Sequence, residues 1–475
     1  MVFSSPVFLF LFLPLTLLAV WLFGRRGQNI VLLFASLLFY AWGEGTYVLL
    51  MLATILVNHT VAMVMDRSRS PRTWLTIGIT LDLAVLVAFK YTNFIADSLS
   101  TLLLPLNIAP IRLDPVHLPI GVSFYIFHSI SYLVDIYRGK AKAAQSPTIT
   151  ALYITLFPQL VAGPIVRFHD VAKQFTERVM NMDLFASGVR RFIVGLAKKV
   201  LIADQCARIA DAVFLVPSEE LPFATAWLGA LAYAVQIYFD FSGYSDMAIG
   251  LGRMFGFQFL ENFDRPYIAR SVREFWRRWH ISLSNWFRDY LYIPLGGNQH
   301  GGARTYFNLL TVFFLTGLWH GASWNFVVWG LVHGFFMIAE RAGLGRLLER
   351  APRIIGHVYT LLVVIMAWVL FRVTDLDSGY HYLLAMVGAS PGDIVLYPPM
   401  LYLTNSTALA LSIGILGAVN VHALIGRWIG VRATEPIFPS GMRGAIELIG
   451  LVILLVGVFM AVASSTYSPF IYFRF

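Results

Sequence analysis

Between residues 6 and 136 the chain passes through five apolar stretches, at 6–23, 29–41, 46–65, 73–89 and 118–136. Few folds can accommodate that succession. A bilayer has no water to satisfy backbone N–H and C=O groups, so only helices or closed barrels cross it. Stretches near the ~20 residues that a helical span needs point to helices. The stretch at 29–41 is short for a span and is expected to tilt or to sit partly in the interface. Only 13% of the residues are charged, about half of what a soluble chain carries. The expectation is an all-α polytopic integral membrane protein with roughly ten to twelve membrane elements. No long linker, repeat or low-complexity block divides it, so residues 1–475 read as a single domain.

Charge in the loops suggests an orientation. Arg25 and Arg26 follow the first stretch, Arg67, Arg69 and Arg72 the third, and Arg138, Lys140 and Lys142 the fifth. The connections at 43–45 and 91–117 are poor in cations. Basic loops stay in the cytoplasm, which puts the N-terminus outside. Near the other end, Arg341, Arg346, Arg350 and Arg353 precede a run at 355–371, and Asp375, Asp377 and Asp393 follow it. A last run at 444–463 leaves an aromatic tail, 464–475, on the outer side. The first stretch has no charged n-region before it and reads as a retained span. The net charge of +9 fits cytoplasmic loops and anionic headgroups, and no Lys/Arg-rich soluble domain is present to hold nucleic acid. A lone cysteine, Cys206, excludes disulfides within the chain and reads as a small buried hydrophobe.

Two segments depart from plain spans. Residues 158–164 are apolar but broken by Pro158, Gly163 and Pro164, as in a re-entrant element buried in protein. Arg190, Arg191, Lys198 and Lys199 recur at helical spacing among apolar residues, which suggests an amphipathic helix along the cytoplasmic interface, with a plain basic loop face as the other reading. Asp240 and Asp246 follow an apolar run. They read as partners for core cations or Trp N–H groups, since acyl transfer needs one base rather than a pair of carboxylates.

Charge and tryptophan concentrate between Asn262 and Gly330, where six of the chain's 12 tryptophans lie. Glu274-Phe275-Trp276-Arg277-Arg278-Trp279-His280 is followed by Ile281-Ser282-Leu283-Ser284-Asn285-Trp286, and later by Gly317-Leu318-Trp319-His320-Gly321-Ala322-Ser323-Trp324-Asn325. The run before His320, residues 307–318, carries no charge. An ionisable group in such surroundings is costly and points to function, although a histidine hydrogen-bonded inside a bundle gives the same pattern. Gly317 and Gly321 permit close approach of a backbone or a ligand. The other histidines, His333 among them, are scattered and read as hydrogen-bonded or interfacial. The chain contains no zinc, EF-hand, P-loop or nucleophile-elbow motif, so no metal site is expected.

Arg-Arg-Trp-His-Ile-Ser-Leu-Ser-Asn-Trp at 277–286, with Leu-Trp-His-Gly-Ala-Ser-Trp at 318–324, resembles the membrane-bound O-acyltransferase (MBOAT) family. The likeness is greatest to its bacterial members that O-acetylate alginate, cellulose or the cell wall. Segments 118–124, 157–164 and 239–246 resemble further motifs of that family. The resemblance implies a helical bundle with a central tunnel, His320 as the catalytic histidine and His280 as a second active-site position. It also implies acetyl-CoA as a cytoplasmic donor, with no permanently bound cofactor, and an extracytoplasmic glycan as acceptor. The acceptor would be reached through a separate periplasmic O-acetyltransferase beside the polysaccharide synthesis and export machinery, in the inner membrane of a bacterium.

Around that implied site, each residue type has a fitting role. A buried neutral imidazole can take the proton of an attacking hydroxyl. Trp319 and Trp324 could exclude water, and Asn325 or Ser323 could donate to a developing oxyanion. Arg277 and Arg278, beside Arg273, suit phosphates of the donor or of membrane lipid. In the tail, Tyr472 is a candidate acyl carrier, because the segment resembles the C-terminus of a small single-pass partner of teichoic-acid D-alanylation. An aromatic interfacial anchor is the plainer reading of that tail. A transporter or flippase using His320 in a proton relay, and a scaffold for polymer export, remain alternatives at this stage.

Overall fold

The computed structural model describes residues 1–419 and 442–464. Among them the ordered elements are helices, with no strand. Five helical stretches are long and apolar enough to cross a bilayer: Phe8–Arg67, Pro71–Leu106, Trp324–Arg350, Arg353–Arg372 and Gly444–Ala463. The first of these is not one rod. Helix α1 (Leu13–Glu44) breaks at Gly24, where φ is 55°, and Gly45, at φ 54°, separates it from α2 (Val48–Arg67). Both breaks need the left-handed backbone that glycine adopts without strain, and they fall between the apolar stretches. Helix α3 (Pro71–Leu86) continues through a π-turn into α4 (Thr92–Leu103). Part of the connection expected at 91–117 is therefore helical.

The contacts fall into two compact units, Met1–Gly188 with Ala248–Leu260, and Val189–Met247 with Glu261–Phe475. In the first unit α5 (Val122–Tyr137) is the core helix, buried from Val122 to Ile136. Gly78 on α3 lies against Leu133 and Val61, where a Cβ would come within 2.4 Å of the Leu133 side chain. Asn58 donates to buried Asp82 at 2.7 Å, joining α2 to α3. Residues 157–166 form one short turn, α6 (Phe157–Leu160), followed by irregular chain, and all are buried. The broken backbone expected there is thus enclosed by protein, the condition under which irregular chain is tolerated at membrane depth.

In the second unit the basic residues of α7 (Met182–Ala197) and of the π-turn that follows it (Lys198–Ala203) are held in ion pairs. Arg191 bonds Asp246 at 2.8 Å and also reaches Glu261, Lys198 pairs with Asp246 at 2.6 Å, and Lys199 pairs with both Asp204 and Asp240 at 2.7 Å. Lys199 is buried among these partners, while Arg190, Arg191 and Lys198 stay partly exposed. Glycines let α7 approach α8 (Phe223–Met254) so closely that a Cβ on Gly195 would lie 2.6 Å from the Gly243 carbonyl, and a cation buried there, as Lys199 is, needs a carboxylate partner. Asp240 and Asp246 accordingly serve as partners for cations. Cys206 is buried.

Candidate active site

The site grows from two short helices and one long pair, all in the second unit. Helix α9 (Val272–Arg278) is capped by Ser271, whose hydroxyl accepts the Glu274 N–H at 3.0 Å. Its first turn is held by buried Glu340, which accepts the N–H of Val272 at 2.6 Å and of Arg273 at 3.1 Å. A carboxylate suits these otherwise unsatisfied donors at a helix start. His280 separates α9 from α10 (Ile281–Phe287) and takes the left-handed conformation, φ 45° and ψ 54°. For a non-glycine residue that backbone costs about 1–3 kcal/mol and persists only where its surroundings enforce it.

Asn262 does the enforcing. Its backbone carbonyl accepts Ile281 N–H at 2.9 Å. Its side-chain oxygen accepts from the Ser282 hydroxyl at 2.8 Å, from Ser282 N–H at 3.2 Å and from His280 Nδ1 at 3.2 Å, and its amide donates to Ser245 at 2.9 Å. With Nδ1 donating to an oxygen, His280 keeps its lone pair on Nε2, which is buried and has no partner among the described residues. Phe241 closes edge-on over the ring at 4.6 Å. Burial, reinforced by the proximity of His320, holds the His280 imidazole well below the ordinary histidine range, so it stays neutral.

His320 is the last residue of α11 (Gly301–His320) and is 4% exposed. Its Nδ1–H donates to the Thr316 carbonyl one turn back, at 2.7 Å. That bond puts the proton on Nδ1 and makes Nε2 the basic nitrogen. Trp319, Trp329 and Phe371 pack edge-on around the ring, with centroids at 4.9, 4.8 and 5.4 Å. Trp319 also touches His280, at 6.2 Å, so one indole bridges the two histidines. Helix α12 (Trp324–Ala339) lies against α11 with almost no space between the backbones: a Cβ on Gly317 would sit 2.4 Å from the Phe326 carbonyl, and one on Gly330 2.3 Å from that of Phe313. The small residues around His320 therefore admit another backbone.

Other expected residues are placed differently. Trp324 is 53% exposed on the first turn of α12, so the aromatic residue from this helix against His320 is Trp329. Asn325 donates to the carbonyls of Val373 at 2.8 Å and Leu370 at 3.3 Å and accepts from Ser323. Asn325 thus ties α12 to the end of α13 (Arg353–Arg372), and Ser323 gives its hydroxyl hydrogen to Asn325, so both donors are already engaged. Arg278 is engaged by Glu274 and Asp264, each at 3.0 Å. Arg273 and Arg277, on the same helix, form no ion pair among the described residues. With Arg270, Arg278 and Arg353 they border a cavity of about 970 Å³ whose walls also carry Asp264, Glu274, Glu340 and Glu349. Tyr472 lies outside the described residues.

Asn262, Trp329 and His333 belong to this site without having been singled out for it in the sequence. His333 is fully buried, accepts from Trp276 Nε1 at 3.3 Å and packs on Trp329 at 5.1 Å. One signal was available: Trp329 and His333 are four residues apart, on one face of a helix, and that face also carries Gly330 and Gly334.

The sequence model of the membrane-bound O-acyltransferase family matches residues 35–380. A probable alginate O-acetylase AlgI of Azotobacter vinelandii is 47% identical over 390 residues, covering 81% of this chain and 78% of that protein. Its namesake in Pseudomonas putida is 43% identical over 495 residues, covering the whole of both chains. A peptidoglycan O-acetyltransferase of Helicobacter pylori is 35% identical, over 82% of this chain and 80% of that protein.

Proposed function

This chain belongs to the membrane-bound O-acyltransferase family, and from that premise we propose that it O-acetylates an extracytoplasmic polysaccharide, drawing the acetyl group from acetyl-CoA on the cytoplasmic side. One observation carries the reading: His320, buried among aromatic rings, has its tautomer set by the Thr316 carbonyl so that Nε2 is the base. An acceptor hydroxyl loses its proton to Nε2 as its oxygen bonds the acetyl carbon. The C–S bond then breaks, and the departing thiolate takes the proton from His320. The step is neutral overall and needs no metal. His280, neutral and facing the same indole, orients or hands on the proton.

The relatives named as alginate O-acetylases span this chain at 43–47% identity and the peptidoglycan enzyme at 35%, which favours a uronate exopolysaccharide as acceptor. The cavity bordered by Arg273, Arg277 and Arg353 suits the phosphates of a coenzyme A donor. Arg278 lines the same cavity while also holding Glu274 and Asp264. A periplasmic acetyltransferase completes the relay to the polymer. The test is His320→Ala at matched protein levels, with O-acetyl groups on the polymer counted by mass spectrometry. Acetylation is expected to vanish while the protein remains in the membrane; normal acetylation by that variant refutes the mechanism.

A further inference from the structure

Trp329, which packs on His320, and His333, which packs on Trp329, each carry a ring N–H with no acceptor among the described residues: Nε1 of Trp329 and Nε2 of His333. Both residues are 0% exposed, and they lie one helical turn apart on α12. The protonation of His333 follows from geometry. Trp276 Nε1–H donates to its Nδ1 at 3.3 Å, so Nδ1 supplies a lone pair and the hydrogen is on Nε2. The indole nitrogen of Trp329 can only donate. The Trp329 ring contacts His320 at 4.8 Å and His333 at 5.1 Å. Buried donors left unpaired inside a bundle are costly. The residues first expected to serve an oxyanion, Asn325 and Ser323, are spent on other partners.

We propose that Trp329 Nε1–H and His333 Nε2–H are the oxyanion donors of this enzyme, taking up the carbonyl oxygen of the acyl group during transfer. The inference rests on the reading of His320 as the transfer base. As the hydroxyl oxygen bonds to the acyl carbon and its proton moves to His320 Nε2, the carbonyl π electrons move onto oxygen, and the two N–H groups hydrogen-bond that charge. When the intermediate collapses the electrons return, the C–S bond breaks and the thiolate is protonated by His320. Fixed donors in a water-poor site stabilise the developing charge far more than the neutral carbonyl before it. They therefore act on the rate of the step rather than on donor affinity.

The experiment measures initial rates of acetyl transfer by the full-length protein in membrane vesicles as acetyl-CoA is varied. Trp329→Phe removes one donor while keeping an aromatic ring, His333→Leu removes the other, and His333→Gln restores an N–H. Each removal is expected to lower kcat about a hundredfold with KM nearly unchanged, and His333→Gln to recover a substantial part. An unchanged kcat, or a loss confined to KM, overturns the assignment. If Trp329→Phe does not fold, the Leu and Gln variants of His333 decide. Transfer by the wild type but not by His320→Ala, with Trp329→Phe and His333→Leu at full rate, rejects only the donor assignment. No transfer by the wild type rejects the acetyl-CoA reading with it.

Discussion

His280 shows how much of an active site is spent on holding one side chain. Its left-handed backbone is imposed by four hydrogen bonds that end on Asn262, two of them from Ser282. Its imidazole is buried and neutral. The unfolded chain protonates a histidine near pH 6.5 and the folded one only at lower pH, so the unfolded state binds more protons below that point. The contribution of neutral His280 to stability is therefore complete above about pH 6.5 and falls as the pH drops below it, by about 1.4 kcal/mol per unit until the folded group titrates. Thermal melts of the detergent-solubilised protein between pH 7.5 and 5 are expected to show this loss, with a shallower slope in His280→Asn, since asparagine tolerates the left-handed conformation. Identical slopes would show that the acid sensitivity arises elsewhere.

At the scale of elements, the pair α11–α12 is set by glycine. Gly317 and Gly330 let two helices touch backbone to backbone, and the contact brings Trp329 onto His320. Gly330→Ala places a methyl 2.3 Å from the Phe313 carbonyl. Overpacking of that kind costs about 1–3 kcal/mol, and here it also moves the indole. The expected outcome is a lower melting temperature together with reduced acetylation. Gly302→Ala, at the start of α11 with nothing within 4 Å of the added Cβ, is the control and should leave both unchanged.

For the molecule as a whole, the transfer proposed above takes an acetyl group from a cytoplasmic thioester to a polymer outside. With Arg273 and Arg277 at the donor cavity, the double variant Arg273→Ala/Arg277→Ala is expected to raise the KM for acetyl-CoA at least about tenfold, since hydrogen bonds to charged groups are worth about 1.5–3 kcal/mol each, and to keep most of kcat. Arg278→Ala should lower the melting temperature more than it raises KM, because Arg278 is already committed to Glu274 and Asp264. Rate measurements against donor concentration separate the two. At the far end of the relay, Tyr472→Phe removes only a hydroxyl. If Tyr472 carries the acyl group outward, that variant loses polymer acetylation; full acetylation would leave the tail as an interfacial anchor.

The sequence by itself determined the fold class, the membrane setting and the basic character of the helix before His280, and it singled out the two histidines that the structure gathers around Trp319. Each of these is written along one dimension, as hydropathy, local spacing or a contiguous motif, and the bilayer leaves the backbone little choice but helix. Only the tertiary structure decided which partners those residues meet. Asn262 is eighteen positions from His280, Arg278 is neutralised by Asp264, and the two lysines that follow α7 pair with carboxylates of α8. Trp329 rather than Trp324 faces His320 because backbone contact at Gly330 fixes how α12 lies on α11. Spacing along a helix states which residues share a face, but burial, ion pairing and tautomer depend on what that face is packed against, and that is settled by contacts between segments far apart in the chain.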